Sequence, residues 1–549
     1  MSKNIKKIVD IKITNKIIED ETAINFLSKG KLPLRHFLQG VKKLSESNNY
    51  DIVFINISRI QEMGWAIIQE IRRNLLSLRK DNVLILAFLE SGGIKEYYLA
   101  SVADEIILSP AGILDLVGLQ AEVFFMKGAL DHLGVEAEII KTGDYKTAGD
   151  MFTRESMSEP HRNILNSILD NFIEEISDGI ADSRHKLNDR FDKILNRGPF
   201  TANEALDIKL VDHIMYEEEV ENYLEKRFNV KKCIRMPFKP VVSKGFFSNL
   251  SIPSKKIALI YASGNIIEGE KRGFAPSYGY ITSKDLVRDV RKARKSKSVK
   301  AVVIRVNSPG GSALASDIIW HEIRKTTEKK PVIISMSNVA ASGGYYISMG
   351  ASCIFAESMT ITGSIGVISG KFYSKTLLNK IGINRDVVVK GDKADMYSIT
   401  RPFTKDELGK VENQVFNFYY KQFVEKAANG RKTDYNTLES YAQGKIWTGN
   451  QGKLNGLVDK LGGLLESVDE AKNIAKIDLK TSVKLAIYPK RKFKLSLRNL
   501  IHEAFYSMIL KDSIFEMATP VPVKELIDMK MLIGRLDALY MMPSVLNIN

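Results

Sequence analysis

Ser342 opens the run SGGYY within residues 335–346 (SMSNVAASGGYY), and a second stretch of small residues, NSPGGS, fills 307–312. A serine hydroxyl beside freed backbone N–H groups is the minimum for acyl transfer: the hydroxyl attacks and the N–H groups hold the oxyanion that forms. Gly310 and Gly311 of the turn, with Gly343 next to the serine, are the candidate oxyanion donors. Taken singly, SGG reads equally well as a helix cap and PGG as an ordinary turn. Apolar, β-branched runs precede both, AVVIRV at 301–306 and PVIIS at 331–335. Two buried strands ending in such turns can meet at one edge of a sheet, and that pairing makes acyl transfer the reading.

A serine nucleophile needs a base, and histidine is the usual one. The histidines are His36, His132, His161, His185, His213, His321 and His502, and none lies between Ser342 and His502. His321, on the helix after the glycine turn, is expected at the surface. A lysine serves instead if burial lowers its pKa from about 10.4 to about 7–8, leaving it neutral near physiological pH.

The elements that position these groups belong to a unit written twice. Tyr97-Tyr98 aligns with Tyr345-Tyr346, Gly118 with Gly366, Gly134 with Gly382, and Gly143-Asp144 with Gly391-Asp392, all at a shift of 248 (345 − 97). Phe200-Thr201 and LVD at 210–212 echo Trp447-Thr448 and LVD at 457–459 at 247 (447 − 200), and Lys7-Ile8 echoes Lys256-Ile257 at 249 (256 − 7). A register held this long marks a tandem duplication. The expected division is a first repeat over 1–235, a basic linker over 236–255, a second repeat over 256–480 and a tail over 481–549.

Strands are expected at 51–57, 83–88 and 105–108 in the first repeat, and at 257–261, 301–306, 331–335, 353–356 and 385–389 in the second. Amphipathic helices fall between them, as at 66–79 and 159–187. This alternation predicts an α/β fold of βαβ units on a largely parallel sheet. The tail carries apolar residues at helical spacing over 495–514 and 523–540. It reads as a helical appendage or, alternatively, as helices lying on a membrane surface.

The two copies disagree where the chemistry would lie. Ser342 maps to Ile94, and the Pro-Gly-Gly turn maps to the neighbourhood of 57–62, where it is missing. Lys146, in KTGDYKTAGD, maps to Ala394. A complete site therefore takes Ser342 from the second repeat and Lys146 from the first. Lys393, one residue out of register, is the rival base. Ser364, in TGSIG, either orients the amine by a hydrogen bond or caps a turn.

At 549 residues the chain exceeds a single core, and 44% hydrophobic content describes a globular protein. A net charge of +15 permits contact with an anionic membrane or nucleic acid without pointing to either. No RGG, RNP or Cys/His finger pattern occurs, so no nucleic-acid partner is expected. Cys233 and Cys353 form neither a metal pattern nor a disulfide framework. No metal or cofactor is expected, and TGSIGVISG lacks the GxGxxG spacing of a dinucleotide loop. No uncharged apolar run suggests a signal peptide or membrane span, so a cytoplasmic or peripherally membrane-associated protein is expected.

RVNSPGGSALAS (305–316), AASGGYYIS (340–348), TGSIGV (362–367) and GDYKTA (143–148) together resemble signal peptide peptidase A, or protease IV, in its long tandem-repeat form within the ClpP/crotonase superfamily. The resemblance covers about residues 5–480. It implies Ser342 as nucleophile, Lys146 as general base, Ser364 beside the lysine, and Gly310 and Gly311 as oxyanion donors. It also implies two ClpP/crotonase-like repeats and a serine endopeptidase with a Ser–Lys dyad, cleaving signal-peptide remnants or other short apolar peptides. A bowl-shaped homo-oligomer, tetrameric for the tandem form, is implied as well. Long-form members usually carry an N-terminal membrane anchor, whereas this chain starts almost directly at its first strand. Two other classes stand beside this one: a crotonase-type acyl-CoA enzyme, though no acid/base carboxylate pair accompanies the turn, and an inactive scaffold that holds peptides.

Overall fold

The computed structural model describes residues 5–23, 30–185, 187, 191–241, 255–270, 279–479, 481, 483–489, 539–541 and 547–548. Each repeat builds a parallel sheet of the same strand order, to which the second adds Ile361–Gly363, parallel to Val332–Ala341, and Ile446–Thr448, antiparallel to Ile361–Gly363. In the first, the strand order is His213–Ile214, Glu105–Leu108, Leu84–Leu89, Ile52–Ile57, Ile5–Ile13, Lys232–Pro237. In the second it is Lys460–Leu461, Cys353–Ala356, Val332–Ala341, Val299–Ser308, Lys256–Ser263, Lys484–Tyr488. Central strands such as Ile52–Ile57 (IVFINI) are covered on both faces, which is why they read as continuous apolar runs rather than alternating ones.

The helices between them run as the periodicity predicts, with C-terminal ends trimmed: Trp65–Leu76 against the expected 66–79, and Glu159–Ala181 against 159–187. Ser158 caps the latter, its side chain accepting from His161 N. The halves share a core. Ala341, Met359, Ile361, Ile446 and Leu465 of the second repeat pack into the apolar cluster built mainly by the first.

Two expectations change. Lys484–Tyr488 is the counterpart of Lys232–Pro237, so the second sheet runs past the expected boundary at 480 into the start of the tail. Residues 385–389, expected as a strand, are irregular and exposed. The corresponding stretch of the first repeat, Glu136–Lys141, is a strand because Ile368–Tyr373 of the second repeat pairs with it antiparallel, Ile139 opposite Gly370. Residues 385–389 have no such partner within the chain's described residues. The expected helices at 495–514 and 523–540 lie outside the described residues, except that Leu539–Met541 is a strand.

That strand belongs to a third, mixed sheet joining the repeats, in the order Glu136–Lys141, Ile368–Tyr373, Leu539–Met541, Gly310–Ser312, Asn265–Ile267, Tyr280–Thr282. It frames the place where the two motifs meet.

Candidate active site

Val332–Ala341 leaves its sheet at Ser342, and the chain turns at once into the helix Gly343–Ser348. The turn holds Ser342 at φ 55° and ψ −116°, a left-handed conformation that a residue with a Cβ adopts only under constraint. The constraints are backbone bonds: Ser342 N donates to Gly363 O at 2.8 Å, and Tyr346 N donates to Ser342 O at 2.8 Å. The hydroxyl is thereby fixed at the end of the strand, although the residue is fully buried.

The glycine turn lies against this corner. A Cβ on Gly343 would come within 3.1 Å of Gly310 Cα and 3.2 Å of Gly311 N. Gly311 itself has φ +147°, and a Cβ there would strike Ile266 O at 2.0 Å, so only glycine lets the turn approach the neighbouring strand. Of the three expected donors, Gly310 N–H is already engaged with Ser308 Oγ at 3.2 Å. Gly311 and Gly343, the other two expected donors, lie with their backbones side by side.

The lysine arrives from the other repeat. Lys146 Nζ lies 2.7 Å from Ser342 Oγ, 2.9 Å from Ser364 O and 3.0 Å from Ser364 Oγ. No part of Lys146 is exposed, and burial alone drives its pKa well below the usual lysine value. These contacts match the capacity of a neutral amine: two N–H groups for the two Ser364 oxygens and one lone pair for the Ser342 hydroxyl. Ser364, also held at positive φ (52°), meets the amine through both its carbonyl and its hydroxyl oxygen.

The segment carrying Lys146 is stitched to the second repeat. Thr142 N donates to Val367 O at 3.0 Å, and Val367 N donates to Thr142 Oγ1 at 2.8 Å. The lysine stem threads a slot between two glycines. A Cβ on Gly366 would meet Lys146 Cδ at 3.1 Å, and one on Gly444 would meet Lys146 N at 2.4 Å. Thr142 and Gly444 escape a reading based on motifs. The doubling could have revealed Gly444, because Arg197 stands at the matching place in the first repeat.

Lys393, the rival base, is half-exposed and ion-paired with Asp406, which raises its pKa. His321 is exposed as expected. The first repeat's equivalent corner is closed by a carboxylate: Glu96 accepts from Ile60 N at 2.7 Å and from Gly93 N at 3.0 Å. Gly93 precedes the helix Ile94–Ala100 where Ser342 precedes its own, so that corner has no hydroxyl, and its backbone donors are occupied.

The chain belongs to peptidase family S49, whose description matches residues 81–231 and 324–478, one stretch in each repeat. It is 35% identical over 437 residues to the chloroplastic serine protease SPPA of Arabidopsis thaliana, covering 79% of this chain and 64% of that protein. It is 31% identical over 452 residues to Protease 4 of Salmonella typhi, covering 80% of this chain and 72% of that one. The chain thus spans less than two thirds of the plant relative's length. Among solved structures it is similar to ClpP1 of Listeria monocytogenes, at TM-score 0.25 and 15% identity, covering 39% of this chain and 94% of that one.

Proposed function

We propose that the chain is a serine endopeptidase working through Ser342 and Lys146 on short, apolar or unfolded peptides such as signal-peptide remnants, and that it acts as a homo-oligomer. The 2.7 Å approach of a fully buried Lys146 amine to Ser342 Oγ carries this reading. As Ser342 Oγ attacks a peptide carbonyl carbon, its proton passes to Lys146 Nζ, and the N–H groups of Gly311 and Gly343 receive the developing oxyanion. Lys146 then gives that proton to the leaving nitrogen, the C–N bond breaks, and the acyl group stays on Ser342. Water, losing a proton to the same amine, attacks the ester, and Ser342 regains its proton as the acid departs.

Backbone geometry favours an extended peptide as substrate. Leu539–Met541 already lies antiparallel to Gly310–Ser312, with Leu539 also opposite Ile368, so the lane beside the glycine turn accepts a strand. Likeness to a protein described as a putative signal peptide peptidase SppA of Enterococcus faecium, 37% identical over 227 residues, supports the substrate class. Among the described residues no helix is long and apolar enough to cross a membrane. The net charge of +15 fits a peripheral contact with an anionic surface.

The direct test is covalent. An acylating reagent with an apolar side chain is expected to add once, and peptide mapping is expected to place the adduct on Ser342. An adduct elsewhere, or none, would overturn the proposal.

Two further outcomes follow from the lysine's surroundings. Because burial disfavours the ammonium, the amine is neutral above its lowered pKa and charged below it. The kcat/KM profile is therefore expected to rise with a slope of one and level off well below pH 10; a rise delayed to the ordinary lysine range would contradict a buried base. Stability has the same sign. Between the lowered value and about 10.4 the unfolded chain binds the extra proton, so unfolding free energy increases with pH across that window. Second, Gly444→Ala is expected to cut kcat/KM by about 100-fold by pushing the Lys146 backbone aside, with circular dichroism unchanged. Wild-type kinetics in that variant would show that the slot does not set the lysine's position.

A further inference from the structure

The glycine turn is held at both ends by the two copies of one glutamate. Ile17-Ile18-Glu19 of the first repeat matches Ile266-Ile267-Glu268 of the second at 249 (266 − 17), the shift that also relates Lys7-Ile8 to Lys256-Ile257. The run NSPGGS lies between the two side chains. Asn307, at its start, donates from Nδ2 to Glu19 Oε2 at 2.7 Å, and Ser312, at its end, donates from Oγ to Glu268 Oε1 at 2.8 Å. Glu268 follows the strand Asn265–Ile267, which pairs with the turn through Ile266 opposite Gly311. Glu19 comes from the other repeat.

The Asn307 end governs the site's spacing. Strands Val299–Ser308 and Val332–Ala341 carry the turn and the hydroxyl, and their ladder breaks just before both. Val306 lies opposite Met336 but Ser308 lies opposite Ala340, so 337–339 bulge against Asn307 alone. A bulge leaves ladder groups unpaired, and here side chains take them up. Val339 N donates to Asn307 Oδ1 at 3.2 Å, and Ser337 O accepts from Thr360 Oγ1 at 2.7 Å. Asn307 stands three residues before Gly310 (310 − 307), and Val339 three before Ser342 (342 − 339). Their bond therefore ties the arm that carries the glycines to the arm that carries the hydroxyl. It forms only while the Asn307 amide turns its oxygen to Val339 and its nitrogen away. Glu19 sets that orientation: Oε2 takes the nitrogen, and Oε1 is itself fixed by Arg305 Nε at 2.7 Å. The Glu19 side chain is 9% exposed and that of Arg305 not at all, so water competes little for these bonds.

We infer that Glu19 is a positioning residue for the oxyanion turn: it orients the Asn307 amide, and Asn307 sets the distance between the glycine turn and Ser342. Glu268, at the exposed end, steadies the same turn more weakly. The inference rests on the serine-peptidase reading of this site. It gives the first repeat a second task there, beside supplying Lys146. A displaced N–H donor is missed by the oxyanion and not by the bound peptide, so the loss belongs in kcat rather than in KM.

Steady-state kinetics on an apolar peptide tests it. Glu19→Ala is expected to lower kcat about 100-fold with KM little changed, and Glu268→Ala to lower it only a few-fold. Inhibitors separate positioning from general damage. A peptide aldehyde, whose adduct with Ser342 puts an oxygen where the oxyanion forms, is expected to bind Glu19→Ala about 100-fold more weakly. The matching peptide alcohol is expected to bind as it does to the wild type. A swapped pair gives a rescue that a purely structural role would not. Asn307→Asp sets two carboxyl groups face to face and is expected to lose about 100-fold in kcat. Adding Glu19→Gln restores complementarity: the new amide's oxygen accepts from Arg305 Nε, its nitrogen donates to the new carboxylate, and that carboxylate's other oxygen serves Val339 N. The double variant is expected to regain most of the lost activity, and it decides the matter even if Glu19→Ala does not fold. Wild-type kcat in Glu19→Ala, equal weakening of aldehyde and alcohol, or a double variant no better than Asn307→Asp alone would overturn the inference. Those results with Ser342 still acylated in the wild type refute the clamp only, whereas an unlabelled wild-type Ser342 refutes the peptidase reading beneath it.

Discussion

Ser342→Ala is expected to lower kcat for an apolar peptide by about a millionfold, and Lys146→Met by a similar factor, with the double variant no worse than either alone. The equality follows from the geometry. Lys146 Nζ lies 2.7 Å from Ser342 Oγ, and its other hydrogen bonds go to Ser364, so each member of the pair is without effect once the other is removed. Removing either member leaves an oxyanion pocket and a binding lane but no activated hydroxyl. Lys393→Ala is the contrast: with its ammonium tied to Asp406 at the surface, it is expected to leave kcat/KM unchanged. Kinetics on all four proteins, with circular dichroism to confirm folding, decides the matter. Full turnover by Lys146→Met would end the Ser–Lys assignment, and loss of turnover in Lys393→Ala would move the base.

The split of this site between two halves was legible because duplication supplies an internal control. At the constant shift Ile94 aligns with Ser342, the fold placing Gly93 there equally without a hydroxyl, and Ala394 aligns with Lys146, so each copy shows what the other lacks. Sheet order was legible for a similar reason: apolar runs such as Ile52–Ile57 leave little choice of element. What escaped depends on partners distant in sequence. Residues 385–389 have the composition of a strand, but a strand needs an edge to pair with, and pattern cannot say whether one is in reach. Gly444 looks like any turn glycine until Lys146 passes beside it. Gly310 reads from sequence as an oxyanion donor, and only the folded turn shows its N–H engaged with Ser308 Oγ.

The second large effect is expected in stability: Glu70→Ala should cost about 3–5 kcal/mol, read as a lower denaturant midpoint. Helix Trp65–Leu76 of the first repeat drives Glu70 into the second. There Glu70 Oε2 accepts from Arg305 Nη2 at 2.8 Å, and Oε1 accepts from Leu464 N at 2.5 Å. Neither Glu70 nor Arg305 side chain has any exposed surface, so water cannot replace what is removed. Alanine would leave the Leu464 N–H without its acceptor and Arg305 with Glu19 as its remaining carboxylate partner, at 2.7 Å. Glu70→Gln, which keeps the shape and an acceptor for Leu464, is expected to fall between alanine and wild type. Arg73, three positions along the same helix, makes its own bridge to Glu357 at 2.5 Å, but its side chain is 36% exposed, so its loss should cost less. Since this clamp holds together the halves that carry Lys146 and Ser342, Glu70→Ala should also lose turnover at denaturant concentrations that leave the wild type active. A midpoint equal to wild type would mean the shared apolar core alone fixes the two halves, and the ion pair only their register.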